Sequence, residues 1–553
     1  MYEVREVTRE KTAKLRSCGY QVVEMWSCQW EEQKKQNPEI AAFVKNLALK
    51  DRMNPRDSFF GGRTNAATLF HRCEDGEIIK YYDFTSLYPY CNKYSEYPTG
   101  HPEVHYNPEN QNIHDYFGVA QCIVRPPRQL YHPVLPVRIQ GKLLFPLCAA
   151  CAEDQLERPL LERSPACPHT DQEREMIGTW CTPEIEEAVS QGYEVVRIIE
   201  VYHFPEDQRK KGLFSGYIDK WYRIKTEASG WPAWCDTEEK KSEFIRRFKA
   251  RENIDLRREE LDKGANPGLR SLAKLMLNSM WGKFGQRPNK TQVAHITSPQ
   301  EFHEFLESDR IDIQKIQLLP DRTDPTQTSE DALDVFYTLR KEAEDINGKC
   351  NIFVAAFTTC WARLKLYQEL KKGGEQILYY DTDSILLRID PSNPSHYQPI
   401  TGDYLGDLTD ELWCKKTKQF RTIKEFASAG PKNYGYVRDD NKEECKVKGF
   451  SLNVEGSKQL NYTVLRNNVL QEIQDPQFIA GQMVRRKHPI TRAHKIVRDV
   501  EHLQLKTISE IKNYQLVFDK RVVDADSFLT YPYGYGHLDT TDMAVDINAL
   551  LDL

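Results

Sequence analysis

The run Tyr379-Tyr380-Asp381-Thr382-Asp383-Ser384 decides how the rest of the chain is read. Ile377 and Leu378 lead into it, and Ile385, Leu386 and Leu387 lead out. Apolar residues on both sides of two acidic ones predict a buried hairpin with its charged tip in a cleft. Two carboxylates one residue apart repel each other and lose hydration when partly buried, so both stay ionised only beside a cation. An all-oxygen donor set favours Mg²⁺ or Mn²⁺ over zinc. Taken alone, the same run also reads as a solvated Asp-Thr-Asp turn, and the remainder of the chain has to decide.

At 553 residues the chain is too long for one compact core, and two to four lobes are expected. Hydrophobic content of 40% with 29% charged residues is that of a soluble globular protein. No window approaches a transmembrane stretch, and Met1-Tyr2-Glu3-Val4-Arg5-Glu6 lacks the apolar core of a signal peptide, so no membrane partner is expected. Fourteen Cys without a secretory leader argue for reduced thiols inside the cell, some of them on metal. A net charge of −6 speaks against a nucleic-acid binder. The basic residues cluster, however, at Lys210-Lys211, Lys240 to Arg258, Lys415 to Lys424 and Arg485 to Arg498. Such clusters are either solvated helix faces or a positive groove on an acidic protein.

Before the hairpin, Lys11 to Cys18 and Pro38 to Leu49 read as helices and Tyr20 to Trp26 as a strand. Phe59-Phe60-Gly61-Gly62-Arg63 offers a backbone that a ligand can approach closely, with an Arg able to reach a phosphate, or else an ordinary tight turn. Ile78 to Asp83 is a β-type run ending in an acid, followed by Ser86-Leu87-Tyr88-Pro89 turning into a helix. An Asp at a strand end can hold a metal while the amides of the next turn cradle phosphates. Cys148-Ala149-Ala150-Cys151 and Cys167-Pro168-His169 have the spacing of a structural Zn²⁺ knuckle, with Cys181 as an alternative fourth ligand and unligated core cysteines as the plain reading. Phe214 to Lys225 interleaves cations and aromatics, which suits a nucleic-acid backbone or an amphipathic helix with a Tyr/Trp core face.

Pro267-Gly268 starts a helix that stops at Gly282. Its spacing puts Arg270, Lys274, Asn278 and Trp281 on one face, with Leu272, Ala273, Met276 and Met280 towards the other as the anchor. Two cations, an amide and an indole in a row would grip a triphosphate and stack under a base. Residues 287 to 350, with turn-rich Asp321 to Asp334, read as a loop-rich insertion or small subdomain. Ala355 to Leu370 reads as a helix leading into the hairpin, and Val464 to Ile473 as another. Between them, Glu425 to Tyr436, with Lys432 and Tyr434, is a basic-aromatic turn and strand.

In order, the motifs are an Asp-x-x-Ser-Leu-Tyr-Pro strand end, a Lys-x-x-x-Asn-Ser helix, Tyr-x-Asp-Thr-Asp-Ser and Lys-x-Tyr. This constellation resembles the family B DNA polymerases over about residues 59 to 535. More narrowly, it resembles their protein-primed branch, most like Polinton/Maverick-type self-synthesising transposons and related viruses. Phe59-Phe60-Gly61-Gly62 is similar to that branch's Tyr-x-Gly-Gly template motif. The resemblance implies that Asp83 and Asp383 hold two Mg²⁺ ions with Asp381 beside them. It implies that Tyr88 is the sugar plate that refuses a 2′-hydroxyl, and that Lys274, Asn278 and Trp281 bind the incoming dNTP. Phe59, Gly61, Gly62, Arg63, Lys432 and Tyr434 would meet DNA template and primer, and a terminal protein would supply the first hydroxyl. The site of action it implies is the nucleus or a viral replication site.

Trp281 and Phe59 each stand where the family has Tyr, keeping a ring and losing a hydroxyl. The paired acids of a 3′–5′ exonuclease are missing, as expected for an exonuclease-free polymerase or a fragment of a longer one. The other readings are a catalytically inactive nucleic-acid-binding remnant and a zinc-knuckle interaction protein.

The fold class expected is α+β in a right-hand arrangement. The palm, with an antiparallel sheet, is split between residues 59–100 and 351–451. The knuckle insertion covers 101–262, the fingers helix 263–286 and a second insertion 287–350. The thumb takes 452–553, and residues 1–58 form an αβ cap or the remnant of a lost domain.

Overall fold

Strand-forming runs dominate the segments around both acidic motifs, and they meet in one sheet. The structure, a computed structural model, describes residues 2–46, 52–320, 328–340, 350–414, 417–450, 452–474, 488–499 and 504–536. The expectations that fall on 47–49, 321–327, 415–416, 485–487 and beyond 536 lie outside these residues. The chain divides into two compact units, one of Met53–Trp281 with Ile352–Leu553, the other of Met1–Arg52 with Gly282–Asn351.

The larger unit is built on a nine-stranded antiparallel sheet. Its main path runs Thr64–Ala66, Ile377–Asp381, Ser384–Ile389, Ile78–Phe84, Ile423–Ser428, Asn433–Arg438 and Glu443–Val447. Leu408–Asp410 pairs beside Ile78–Phe84, and Phe70–Arg72 beside Ile423–Ser428. Successive side chains of a strand point to opposite faces, and here both faces are covered. Tyr81, Tyr379 and Leu386 pack with Leu465, Val469 and Ile473 of the helix Tyr462–Gln474. Tyr82, Tyr380, Ile385 and Leu387 pack with Ala362, Leu366 and Leu370 of the helix Ile352–Gly373. Each fully buried side chain of this size contributes about 1.5–3 kcal/mol, so the hairpin is fixed from above and below.

The expected insertion 101–262 holds a four-stranded sheet, in the order Glu103–Tyr106, Glu194–His203, Gly118–Arg125, Met176–Cys181. Beyond it, Ser215–Glu227 is an amphipathic helix whose Ile218 and Tyr222 are buried. The helix Pro267–Phe284 corrects one expectation. Ala273 and Leu277 are its buried residues, while Leu272 on the expected anchor face is 48% exposed. Leu277 packs with Ile218 and Tyr222, and Met280 packs against the same cluster, so Ala273 and Met280 anchor the helix as expected, Leu277 joins them and Leu272 does not.

In the smaller unit, Tyr2–Ser17, Ser27–Gln36 and Pro38–Asn46 are helices. Residues 20–26, read as a strand, are not one. Val23 and Met25 are exposed and no described strand pairs with them, so the alternation has no ladder to join. The expected insertion 287–350 contains a three-stranded antiparallel sheet of Gln292–Ile296, Thr328–Leu339 and Ile311–Pro320, with a helix at Pro299–Glu307. Among the described residues, no helix is long and apolar enough to cross a membrane.

Candidate active site

Register brings the acids together. Ser384 pairs with Asp83 across adjacent antiparallel strands, and the Phe84 amide donates to the Asp383 carbonyl at 2.7 Å. Asp83 and Asp383, 300 positions apart in the sequence, therefore sit at the same end of the sheet. The turn between the acids is tight, with Thr382 in the left-handed region at φ +58° and its amide donating to the Arg63 carbonyl at 2.7 Å. Burial, then the charges of Asp383 and Glu411, push the Asp83 carboxyl up to about 8. Burial and then Asp381 push Asp383 up to about 6. Among the described residues no hydrogen-bond donor or ion-pair partner meets the Asp83 carboxylate. Lys274 and Lys446 near Asp83, and Lys432 and Lys274 near Asp383, offset the upward push only in part. Two such crowded carboxylates are the donor set a hard divalent cation fits. Asp381 differs, because Lys432 Nζ pairs with its Oδ1 at 2.7 Å and the Thr382 hydroxyl donates to the same atom at 3.0 Å.

Beside the acids lies a cleft of about 580 Å³, lined by the Asp83–Tyr88 turn, Asp383, Glu411 and one face of the Pro267–Phe284 helix. That face presents Arg270, Lys274, Asn278 and Trp281, as its periodicity predicts. Among the described residues, the Lys274 and Asn278 side chains make no hydrogen bond or close ion pair, although Lys274 lies near enough to act on Asp83 and Asp383. Tyr88 stacks on Trp281 with centroids 4.5 Å apart and planes 28° from parallel, and Phe59 meets Trp281 edge-on at 6.5 Å. Three aromatics from separate motifs thus form one wall. Burial, followed by Asp383, pushes the Tyr88 phenol up to about 12, so it remains a neutral donor.

Two members of the site, Glu411 and Lys225, escaped the sequence reading of its roles. Glu411 adds a fourth acid to Asp83, Asp381 and Asp383, near enough to raise the pKa of Asp83. Arg270, one of the two cations expected to grip a triphosphate from the helix face, donates from Nε to the Ser229 hydroxyl at 3.2 Å. Lys225 lines the cleft and donates to the Ser86 hydroxyl at 3.1 Å. Burial, then Arg270 and Lys274, bring its ammonium down to about 8. Ser86 sits at φ +54° before the helix Leu87–Tyr94 and makes no side-chain cap. Three cations and an uncapped helix start facing one cleft form an anion-binding surface.

The template-side residues divide. Gly61 has open space around it, whereas a Cβ on Gly62 would lie 2.8 Å from the Thr382 side chain. Gly62 therefore lets this loop rest on the hairpin tip. The preceding carbonyls are held from below, where Arg363 donates to the carbonyls of Phe60 at 2.8 Å and Gly61 at 3.1 Å. Its other nitrogens grip Glu184 at 2.8 and 2.7 Å, both residues being buried.

Two expectations are corrected here. Arg63 is only 2% exposed, with its guanidinium 4.1 Å from the Phe145 ring centroid and also over Tyr367 and Tyr380, so it cannot reach a phosphate. Tyr434 is buried in the sheet, its hydroxyl 3.0 Å from that of Tyr81, so it supports the site from beneath and does not touch a primer. Lys432, by contrast, is half-exposed, with its amide donating to the Tyr379 hydroxyl at 2.8 Å. Cys148, Cys151, Cys167 and His169 gather elsewhere in the unit, while Cys181 faces Cys360 and is no part of that group.

Residues 24–234 and 243–373 match the family model of DNA polymerase type B, organellar and viral. The chain belongs to this family. The match takes in Asp83, Tyr88, Lys274 and Asn278 and ends before the hairpin. A probable DNA polymerase of Neurospora intermedia is 26% identical over 430 residues, covering 74% of this chain and 34% of that protein. A probable DNA polymerase of Podospora anserina is 23% identical over 468 residues, 80% of this chain and 32% of the other. The type B chain described here thus spans about a third of the length of these relatives. Among solved structures, Phi29 DNA polymerase complexed with primer-template DNA and incoming nucleotide substrates is similar at 16% identity and a TM-score of 0.46, covering 84% of this chain and 62% of that one. The same polymerase complexed with single-stranded DNA gives 17% identity and a TM-score of 0.44, over 84% and 62%.

Proposed function

We propose that this chain is a DNA-dependent DNA polymerase that transfers nucleotides from dNTPs to a primer hydroxyl on a DNA template. The observation that carries the reading is the meeting of Asp83 and Asp383 at the lip of a cleft whose far wall holds Lys225, Arg270 and Lys274. A volume of about 580 Å³ accommodates a nucleoside triphosphate. Its phosphates would lie between the three cations and the start of the Leu87–Tyr94 helix, and Asn278 would donate to them. The Tyr88 ring would lie against the sugar, with Trp281 and Phe59 behind. Lys432, held by Asp381, would present its ammonium to the primer end. The primer hydroxyl attacks the α-phosphorus in line, the bond to the bridging oxygen breaks, and pyrophosphate leaves. Two Mg²⁺ or Mn²⁺ ions held by Asp83 and Asp383 would lower the pKa of the attacking hydroxyl and stabilise the leaving pyrophosphate.

Primer extension on a primed DNA template with dNTPs and Mg²⁺ tests the reading. No incorporation by the folded chain in either Mg²⁺ or Mn²⁺ would overturn it and favour a binding remnant. The finer reading is protein-primed replication of a mobile element or viral genome, in the nucleus or at a viral replication site. It is supported by the motif set of the protein-primed branch and by a family description that includes viral members. Covalent transfer of the first nucleotide onto a candidate terminal protein is its test.

Two substitutions probe the walls. Tyr88→Ala opens the space beside the sugar and is expected to raise ribonucleotide incorporation relative to dNTPs by about 10- to 200-fold. Competition between paired rNTPs and dNTPs reads this, and an unchanged ratio removes Tyr88 from the sugar site. Gly62→Ala drives a methyl group into Thr382. It is expected to slow single-nucleotide incorporation about tenfold and to lower stability by ~1–3 kcal/mol through local overpacking, read as a lower melting temperature. Wild-type turnover in this variant would mean that the hairpin tip yields without consequence.

A further inference from the structure

We propose that Cys148, Cys151, Cys167 and His169 hold a structural zinc ion that fastens the Tyr533–Gly536 turn to the backbone at Leu147, Cys148 and Cys167. The four ligand atoms lie within 4.8 Å of one another. From His169 Nδ1 to the three sulfurs the distances are 3.6, 3.2 and 3.7 Å. A tetrahedral zinc with Zn–S of about 2.3 Å and Zn–N of about 2.0–2.1 Å requires N···S edges of about 3.6 Å. The side chains are therefore already spaced around a centre one ion wide, which unligated core cysteines have no reason to be.

The surroundings have the character of a metal site. Zinc-bound histidines turn their second ring nitrogen towards a carboxylate or carbonyl, which fixes the tautomer. Here His169 Nε2 lies 3.7 Å from Asp154 Oδ2 while Nδ1 faces the thiols. Cys148 precedes the helix Ala149–Leu156, and its sulfur accepts the Cys151 amide at 3.4 Å. That bond is the natural neighbour of a thiolate and places both sulfurs of the first pair on one side.

The same backbone carries a segment from the far end of the chain. The Leu147 amide donates to the Tyr533 carbonyl at 2.8 Å, and the Cys167 amide to the Gly536 carbonyl at 3.2 Å. Gly534, at φ +83°, approaches so closely that a Cβ would lie 2.5 Å from that of Cys148. The turn thus rests on backbone whose position the four ligands set, and metal binding becomes coupled to its order.

The full chain, purified without chelator, is expected to carry one zinc by elemental analysis and to release it as a mercurial reagent titrates three protected thiols. Cobalt exchanged into the site should show the charge-transfer and ligand-field bands of a tetrahedral thiolate centre. Cys151→Ser should lose the zinc, whereas Cys445→Ser should keep it. On metal removal, amide hydrogen exchange across Tyr533–Gly536 should speed up at least ~10-fold. Wild-type protein with no zinc and freely reactive thiols overturns the site, and so does full zinc content in Cys151→Ser. Zinc with unchanged exchange at Tyr533–Gly536 overturns the fastening role. If Cys151→Ser does not fold, the mercurial titration and the cobalt spectrum of the wild-type chain decide alone. None of these readouts depends on polymerase activity.

Discussion

Asp383→Asn is expected to reduce primer extension by at least about 10³-fold while leaving the hairpin folded. The amide keeps the shape of the side chain but carries no charge for a divalent cation. The bond that ties the tip to the neighbouring strand runs from the Phe84 amide to the Asp383 carbonyl. The side-chain oxygen of Asn can still accept from the backbone amide of residue 383, as the Asp383 carboxylate does. Thermal stability should hold or rise, because one of two crowded charges is gone. Turnover within a few-fold of wild type would remove Asp383 from the chemistry.

The same crowding gives the metal-free chain a pH dependence of definite sign. Asp83 is pushed up to about 8 and Asp383 to about 6, whereas carboxylates in the unfolded chain titrate near ~4. Between these values the folded state holds more protons than the unfolded one, so stability falls as pH rises through that window. Allowing for partial exposure, the loss from Asp83 is about 1–3 kcal/mol. Melting scans from acid to mildly alkaline pH should show it, with a smaller fall in Asp83→Asn.

Arg363→Met is expected to lower stability by about 3–5 kcal/mol, the largest loss foreseen away from the acids. It leaves Glu184 charged in an apolar interior and strips the Phe60 and Gly61 carbonyls of their donor. Adding Glu184→Leu should recover part of the loss, because removing both charges is far cheaper than stranding one. Urea midpoints measure both variants. A single variant as stable as wild type would show that water or another donor replaces the guanidinium.

Much of this arrangement is written locally. Unbroken apolar runs flanking Asp381 and Asp383 give the hairpin, and the four-residue spacing of Arg270, Lys274 and Asn278 gives the cleft wall. What local pattern hides is depth. Both faces of the sheet are covered, so no phase of the alternation stays wet, and Tyr434 disappears beneath its neighbours. Arg63 lies buried among rings that approach from distant segments, which no neighbouring residue announces. Lys225 did leave a sign. Ile218, Tyr222 and Lys225 fall at i, i+4 and i+7, so a cation continues a buried apolar seam, and such a lysine calls for an anionic partner. Tyr20 to Trp26 erred in the opposite direction, having the residues of a strand but no neighbour to pair with.

The contact between Tyr88 and Trp281 has one more outcome. With their centroids 4.5 Å apart, the two rings already sit at stacking distance, and a flat base cannot slip between them. If the base takes that slot, the indole must first part from the phenol, a separation costing about 0.5–1.5 kcal/mol. Matched and mismatched bases bear this toll alike, so it weakens nucleotide affinity uniformly and leaves discrimination to whatever happens after the rings have parted.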